Sequence, residues 1–315
     1  MKRALIVGID DYEVAPLSGC ITDAQNITKL ISQNEDKTPN FECRALTSND
    51  EQITKASLKE HINNLFKDEA DMAFFYFSGH GTSNNLGGYI VTQDAKQYDE
   101  GVSMRDILDL ANESKIKECI LMLDCCFSGK LGSLPAINNN SAVIREGITI
   151  LTASRPNQIA MEGNSGGLFT SLVCDALRGS AADLLGIVTT ASIYAHVEPI
   201  FGAWEQRPLF KAHISRPTPI RFCEPQIERQ RLRELTNLFP KPTGRHKLDK
   251  SYEPKEEPKN HPNEKKFQIL QDYCRNGLVR PDGEEHMYFA AINNKSCSLT
   301  SQGQFYWHLA KAGKI

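Results

Sequence analysis

The sequence lacks the features that mark several classes of protein. It contains no run of about 20 apolar residues, the length needed to cross a membrane. Its basic N-terminus is followed by only five apolar positions before Asp10, too few for the core of a signal peptide. Lys and Arg number 36 against 39 Asp and Glu, so the chain has no general excess of positive charge for coating nucleic acid or an anionic membrane. We therefore expect a cytoplasmic protein without membrane binding, and we do not expect nucleic acid as its partner.

The chain also lacks the usual sequence signatures of metal sites. None of its nine cysteines forms a C-x-x-C pair of the kind that binds zinc. Without an export signal they should remain thiols, most of them buried as small apolar side chains. Asp94, Asp99 and Glu100 do not form a D-x-D-x-D-G calcium loop. We predict no resident metal and no cofactor for the chemistry, and calcium is considered only as an activator.

What is present is an alternation of apolar runs with helical patterns over about 220 residues. Such alternation predicts an open α/β sandwich, a mostly parallel six-stranded sheet flanked by helices, with functional groups at the carboxyl ends of the strands. The predicted strands are Arg3–Ile9, Glu42–Leu46, Asp71–Phe77, Glu118–Leu123, Ile148–Thr152 and Leu209–Ile214. The predicted helices are Thr22–Gln33, Gln52–Phe66, Ser103–Glu113, Leu168–Arg178 and Ala191–Phe201.

The composition changes after Cys223. Residues 223–265 are rich in proline and charge, and between Pro240 and Lys266 only Leu248 and Tyr252 are large and apolar, which predicts a linker. Residues 266–315 regain apolar periodicity and should form a small separate α+β domain. It would consist of a helix, a hairpin that includes a strand over His286–Ile292, and a closing helix over Thr300–Ala312, similar to a winged helix.

The residues with chemical potential follow two of the apolar runs. The segment FFYFSGHG brings His80 to the end of one predicted strand, and ILMLDCCFSG brings Cys125 and Cys126 to the end of another. A thiolate is the attacking form of cysteine and an imidazole is its usual base, so this pairing predicts nucleophilic catalysis. The alternative is that both ends are tight turns with a buried cysteine and a capping histidine.

The two motifs and their separation resemble those of caspase-like cysteine peptidases. Cys126 of DCCFSG lies 46 residues after His80 of SGHG, and the D-x-C-x-S-G form is similar to metacaspases and their prokaryotic relatives rather than to animal caspases. The resemblance covers residues 1–222: a large-subunit-like part over 1–129, a mobile linker over 130–147 and a small-subunit-like part over 148–222. It implies a caspase-like fold and endopeptidase activity.

Strand alternation distinguishes the two adjacent cysteines. Asp124 and Cys126 should share one face of the strand end, with Cys125 on the other face. The family resemblance also selects Cys126 as nucleophile, with His80 as the proton carrier. The backbone N–H groups of Gly81 and Cys126 would then hold the oxyanion. No third catalytic residue is evident.

The family resemblance implies a specificity pocket made of Cys20, Asp23, Ser78 and Asp124. Two carboxylates in one pocket favour a cationic occupant, so we expect protein substrates cut after Arg, then after Lys. Asp23 taken alone has a simpler explanation as an acid in the first turn of a helix.

The remaining predictions concern control. Lys130 and Arg145 flank a polar segment and are candidates for self-cleavage. The C-terminal domain is similar to small tails on prokaryotic defence effectors, which implies a protease in antiviral cell death switched on there by a signal nucleotide or a partner. Candidate ligand-binding residues are Arg280, His286, Tyr288, Tyr306 and Trp307. Two other hypotheses are a catalytically dead scaffold or signal-binding protein, and a regulator that binds DNA through its tail.

Overall fold

A computed structural model describes residues 1–84, 87–127, 144–153, 162–163, 166–202, 208–215 and 217–315. The chain divides into two compact units. The first contains Met1–Ala182 and Gly186–Glu224, and the second contains Asp183–Leu185 and Pro225–Ile315. No helix among the described residues has the length and apolar content needed to cross a membrane.

The first unit is built on one large sheet. Its main strands lie in the order β11-β7-β6-β3-β1-β2, and only the β7–β11 pair is antiparallel. The six predicted strands are the six of this path, so the predicted mostly parallel sheet is confirmed. The large-sheet strands are β1 (Lys2–Gly8), β2 (Phe41–Thr47), β3 (Met72–Asn84), β4 (Gly87–Lys96), β5 (Asp99–Ser103), β6 (Glu118–Phe127), β7 (Ile148–Thr152) and β11 (Leu209–His213). Short pairs are made by β8 (Glu162–Gly163) with β9 (Gly166–Gly167), and by β10 (Ile187–Val188) with β12 (Arg221–Phe222).

Helices cover both faces of the sheet, as expected for strands that are apolar on both sides. One buried cluster joins the sheet to α2 and α3, and another joins its opposite face to α1, α4 and α5. The helices are α1 (Cys20–Ile31), α2 (Lys55–Phe66), α3 (Met104–Glu113), α4 (Leu168–Asp175) and α5 (Thr190–Gly202), with a π-helical turn at Ala176–Ser180. Ser103 caps α3, its side chain accepting a hydrogen bond from the Asp106 amide.

Two strands extend further than predicted. The predicted third strand ends at Phe77, yet β3 continues to Asn84, because β4 takes over as its antiparallel partner, with Gly81 opposite Ile90, after β1 has ended. Likewise β6 continues to Phe127. The motifs around His80 and Cys126 therefore lie within extended strands, and the tight turns of the alternative interpretation are not formed there.

The second unit is an α+β structure with its own core. Its three-stranded antiparallel sheet has the order β13-β15-β14. The elements are α6 (Arg229–Arg233), α7 (Leu235–Leu238), β13 (Arg245–Lys247), a 3₁₀ turn (Lys250–Tyr252), α8 (Asn263–Arg275), β14 (Val279–Asp282), α9 (Met287–Ile292), β15 (Ser296–Leu299) and α10 (Ser301–Lys311).

The structure corrects two predictions in this unit. The predicted linker over 223–265 is wrong: from Pro225 the chain belongs to this unit, and Leu248 and Tyr252, the two large apolar residues between Pro240 and Lys266, are buried in its core. The stretch needs no core of its own because it covers the core formed by α8 and α10. The predicted strand over His286–Ile292 is also wrong, since Met287–Ile292 forms α9, whose Met287, Ala290 and Ala291 are buried at helical spacing.

Candidate active site

The sheet register brings the two sequence motifs together. β3 and β6 are neighbouring parallel strands, and His80 lies directly opposite Cys126. Neighbouring strands are about 4.8 Å apart, so the two residues are within reach of a shared substrate. The side chain of Cys126 lies outside the described part of the structure. Cys125 is buried in the core on the α2–α3 side of the sheet.

The imidazole of His80 is held by a backbone carbonyl. Its Nε2 lies 2.6 Å from the carbonyl oxygen of Ala15, a residue with φ of 57° in the loop between β1 and α1. Because a carbonyl can only accept, Nε2 carries the hydrogen and Nδ1 is the nitrogen available to accept a proton. A third group therefore orients the histidine. Sequence analysis missed it because a backbone carbonyl has no residue-type signature.

A pair of buried carboxyl groups lies beside the same strands. Asp23 is 3% exposed and Asp124 is 8% exposed. The amide of Gly167 donates to Asp23 at 3.0 Å, and the hydroxyl of Thr170 donates to Asp124 at 2.5 Å. A methyl group placed on Gly167 would lie 2.5 Å from Asp124 Oδ2 and 3.4 Å from Asp23 Oδ2. Both carboxyl groups thus lie against Gly167, where a side chain would clash with Asp124.

The other two predicted pocket residues join this pair. Ser78 is buried at the end of β3's pairing with β1, and its hydroxyl lowers the pKa of both Asp23 and Cys20, which places it beside the two groups. Cys20 begins α1, where its backbone amide donates to Asp10 at 2.8 Å. The four predicted pocket residues are therefore brought together from β3, β6 and the first turn of α1.

The shared burial changes the protonation of the cluster. Burial, together with the charges of Asp124 and Asp10, raises the pKa of Asp23 to about 7, and the Gly167 amide opposes this change. Burial also raises the pKa of Asp124, against the Thr170 hydrogen bond. The Cys20 thiol has a raised pKa, mainly through burial. A cation entering between the two carboxyl groups would be favoured because it would stabilise both in their ionised form.

Arg145 does not fit its predicted role in self-cleavage. Its guanidinium donates to the carbonyls of Ala111, Glu146 and Ile116 at 2.7 to 3.2 Å and to the Ser114 hydroxyl at 3.0 Å. These bonds tie the residue to the C-terminal end of α3, so presenting its side chain to an active site would require all of them to break. This geometry argues against cleavage after Arg145. Lys130 and most of the predicted linker over 130–147 lie outside the described residues.

The candidate ligand residues of the second unit are not one site. Tyr306 and Trp307 are core residues, 5% and 8% exposed, and the Trp307 indole donates to the Phe239 carbonyl at 2.7 Å. Their predicted role in stacking a ligand is therefore wrong. Arg280, His286 and Tyr288 are exposed, and Arg280 lines a groove whose lining does not include the other two.

Among the described residues, no group of three His, Cys, Asp or Glu side chains is arranged to hold a metal ion.

Besides Ala15, the residues that sequence analysis missed are Tyr12, Gly167 and Thr170, each of which contacts a predicted site residue from a distant part of the chain.

Residues 1–218 match the family model described as the caspase domain. The chain is 28% identical over 212 residues to Metacaspase-1A of Aspergillus fumigatus, covering 60% of this chain and 46% of that protein. It is 28% identical over 155 residues to Metacaspase-2 of Trypanosoma brucei brucei, covering 42% and 43%. The chain thus spans just under half the length of the curated relatives it matches.

Solved structures show the same fold at low sequence identity. Caspase-1 from Spodoptera frugiperda is 12% identical with a TM-score of 0.50, over 71% of this chain and 90% of that one. Protein GSU0716 from Geobacter sulfurreducens is 14% identical with a TM-score of 0.54, over 71% and 99%. The architecture of the first unit is therefore the caspase-like α/β fold.

Proposed function

The chain belongs to the caspase-domain family, and from that premise we propose that it is a cysteine endopeptidase that cleaves proteins after arginine and, second, after lysine. The observation that carries the specificity is the pair Asp23 and Asp124, buried together around the side-chain-free Gly167. A guanidinium is planar and carries N–H donors along more than one of its edges, and so it can bind two carboxylates at once. An ammonium is a single point charge and should bind less well.

The proposed reaction uses His80 and Cys126 without a cofactor. His80 Nδ1 takes the thiol proton, and the thiolate sulfur attacks the scissile carbonyl carbon while the C=O electron pair moves to oxygen. The N–H groups of Gly81 and Cys126 hold that oxyanion. When the carbonyl re-forms, the C–N bond breaks and the leaving amine takes the proton from His80. Water, deprotonated by His80, then hydrolyses the thioester and frees the sulfur.

The test is a panel of fluorogenic peptides that differ only in the residue before the cut. Arginine should be cleaved fastest, lysine second, and aspartate not measurably. Each peptide is assayed with and without calcium and ATP, because the activator is not known. Cleavage after aspartate would contradict the pocket and leave the nucleophile intact, whereas inertness of a folded protein under every condition would favour the scaffold hypothesis.

We also propose that activation depends on a signal nucleotide bound by the second unit, as expected of an effector in antiviral cell death. A groove on its three-stranded sheet supports this. Arg245 on β13 and Arg280 on β14 lie on either side of Ser298 on the central strand β15. Lys247 lies two residues further along β13, on the same face of the sheet. Asp282, the carboxylate of that face, accepts from Ser296 and Ser298 at 2.7 and 2.8 Å. Cations on outer strands about 10 Å apart match a polyphosphate, and a carboxylate can bind ribose hydroxyls.

Arg280→Glu should weaken binding of ATP, used as the probe, by at least about tenfold because it reverses a charge in this groove. Titration calorimetry on the full chain measures this, with Lys311→Glu on α10 as the control of equal charge change. An equal loss in both variants would show only general electrostatics. Tighter binding of a single-stranded oligonucleotide than of ATP would favour the nucleic-acid hypothesis instead.

A further inference from the structure

Tyr12 is a buried tyrosine that contacts His80 in two ways. It lies in the loop between β1 and α1 and is 5% exposed. Its hydroxyl accepts a hydrogen bond from the His80 backbone amide at 3.0 Å and donates to the Val91 carbonyl on β4 at 3.3 Å. Its ring packs against the imidazole with the two centroids 4.6 Å apart. One side chain therefore contacts both the backbone and the ring of His80.

The hydroxyl supplies a hydrogen bond that the sheet does not. β1 runs beside β3 only as far as Gly8, opposite Ser78, and the Ile9 amide makes the last bond on that side, to the Ser78 carbonyl at 3.0 Å. In a parallel ladder the His80 amide would be the next group to bond in that direction. Since β1 has ended, this amide needs another partner, and the Tyr12 hydroxyl is that partner.

The packing around Gly79 shows how closely the hydroxyl approaches the strand. A Cβ on Gly79 would lie 2.6 Å from the Tyr12 hydroxyl oxygen and 2.8 Å from the Phe77 ring. Only glycine admits the phenol at this position. Burial raises the pKa of Tyr12, so the group stays a neutral phenol that can accept from His80 while donating to Val91.

We propose that Tyr12 is a positioning residue for His80, holding the strand and the ring so that Nε2 stays on the Ala15 carbonyl and Nδ1 stays available for the proton transfer of the proposed reaction. This inference rests on the proposed roles of His80 and Cys126. Tyr12 touches neither the substrate nor the thiol in this mechanism. Its effect passes through the imidazole alone.

The experiment compares Tyr12→Phe with the wild-type full chain. Removing the hydroxyl frees the His80 amide, and small misplacements of a catalytic group cost up to about 100-fold in rate. We expect kcat for an arginyl peptide to fall about 10- to 100-fold while KM changes by less than about twofold. Tyr194→Phe is the matched control, because Tyr194 stacks on Phe210 at 4.9 Å in the same unit and lies outside the site.

A second readout separates positioning from general stability. The rate at which chloroacetamide alkylates Cys126 is measured against pH, because this rate follows the thiolate and its imidazole partner. In Tyr12→Phe the midpoint of this profile should move by about half a pH unit or more, since the imidazole that stabilises the thiolate is no longer held in place. His80→Ala is run alongside, and Cys126→Ala identifies the alkylated thiol.

The results for Tyr12→Phe and His80→Ala distinguish the role of Tyr12 from the pairing of His80 with Cys126. An unchanged midpoint in Tyr12→Phe, or a loss of kcat matched by a loss of folded protein, overturns the positioning role and makes Tyr12 a stability residue. If His80→Ala also leaves the midpoint unchanged, the proposed pairing of His80 with Cys126 fails as well. A shift in His80→Ala without one in Tyr12→Phe removes only the role of Tyr12.

Discussion

Cys126→Ala should abolish cleavage of arginyl peptides, lowering kcat by about 10⁴-fold or more. The reaction proposed above forms a bond from the sulfur to the scissile carbon, and alanine offers no atom that can replace it. The residual rate would come from binding and the oxyanion donors alone. The measurement is turnover of the preferred fluorogenic peptide by equal amounts of folded wild-type and variant protein.

The neighbouring cysteine provides a matched control. Cys125 is 3% exposed and packs in the core on the opposite side of the sheet from Asp124. Cys125→Ala should therefore retain most of the activity and lose only some stability through the small cavity it leaves. The reverse pattern, activity lost in Cys125→Ala and kept in Cys126→Ala, would show that the nucleophile has been assigned to the wrong cysteine.

Asp124→Asn should lower kcat/KM for arginyl peptides by about 100-fold, because it removes one charge from a buried pair that is expected to hold a guanidinium. A peptide with citrulline in place of arginine sharpens the test, since citrulline has nearly the same shape without the charge. Wild-type protein should strongly prefer arginine to citrulline, and Asp124→Asn should lose most of that preference. An unchanged preference would place the arginine site elsewhere.

The same pocket predicts a dependence of activity on pH. Since the pKa of Asp23 is raised to about 7 in the free protein, kcat/KM for arginyl peptides should rise with pH through that region as Asp23 ionises. The step should be weaker in kcat, because a bound guanidinium keeps the carboxyl ionised. Asp23→Asn should remove this step, and Asp175→Asn, at an exposed position of α4, should keep it.

Stability should change with pH in the opposite direction. Asp23 ionises near pH 3.8 in the unfolded chain and near 7 in the folded one, so between these values the folded state holds more protons and its stability falls as pH rises. The melting temperature of Asp23→Asn relative to wild type should therefore increase from about pH 4 to about pH 7 and level off above that. A constant difference across this range would contradict the raised pKa.

Local sequence patterns predicted most of the first unit correctly. The six main strands are runs of apolar residues that any buried parallel sheet requires, and α2 carries Leu58, Ile62, Leu65 and Phe66 at helical spacing. The second unit was predicted less well. There Leu248 and Tyr252 are too few to indicate a core by themselves, and they are buried only because α8 and α10 supply the rest of it.

The sequence by itself determined the candidate chemistry of this protein: a histidine and a cysteine after apolar runs, in motifs that resemble one family, with four named pocket residues. Only the tertiary structure decided how the parts act on each other. It put the Ala15 carbonyl and Tyr12 on His80, Gly167 against Asp23 and Asp124, and the Arg145 guanidinium on the end of α3. The physical reason is distance along the chain. Periodicity and propensity act over a few neighbouring residues, whereas these contacts join segments 29 to 144 residues apart and form only when the packed sheet brings those segments together.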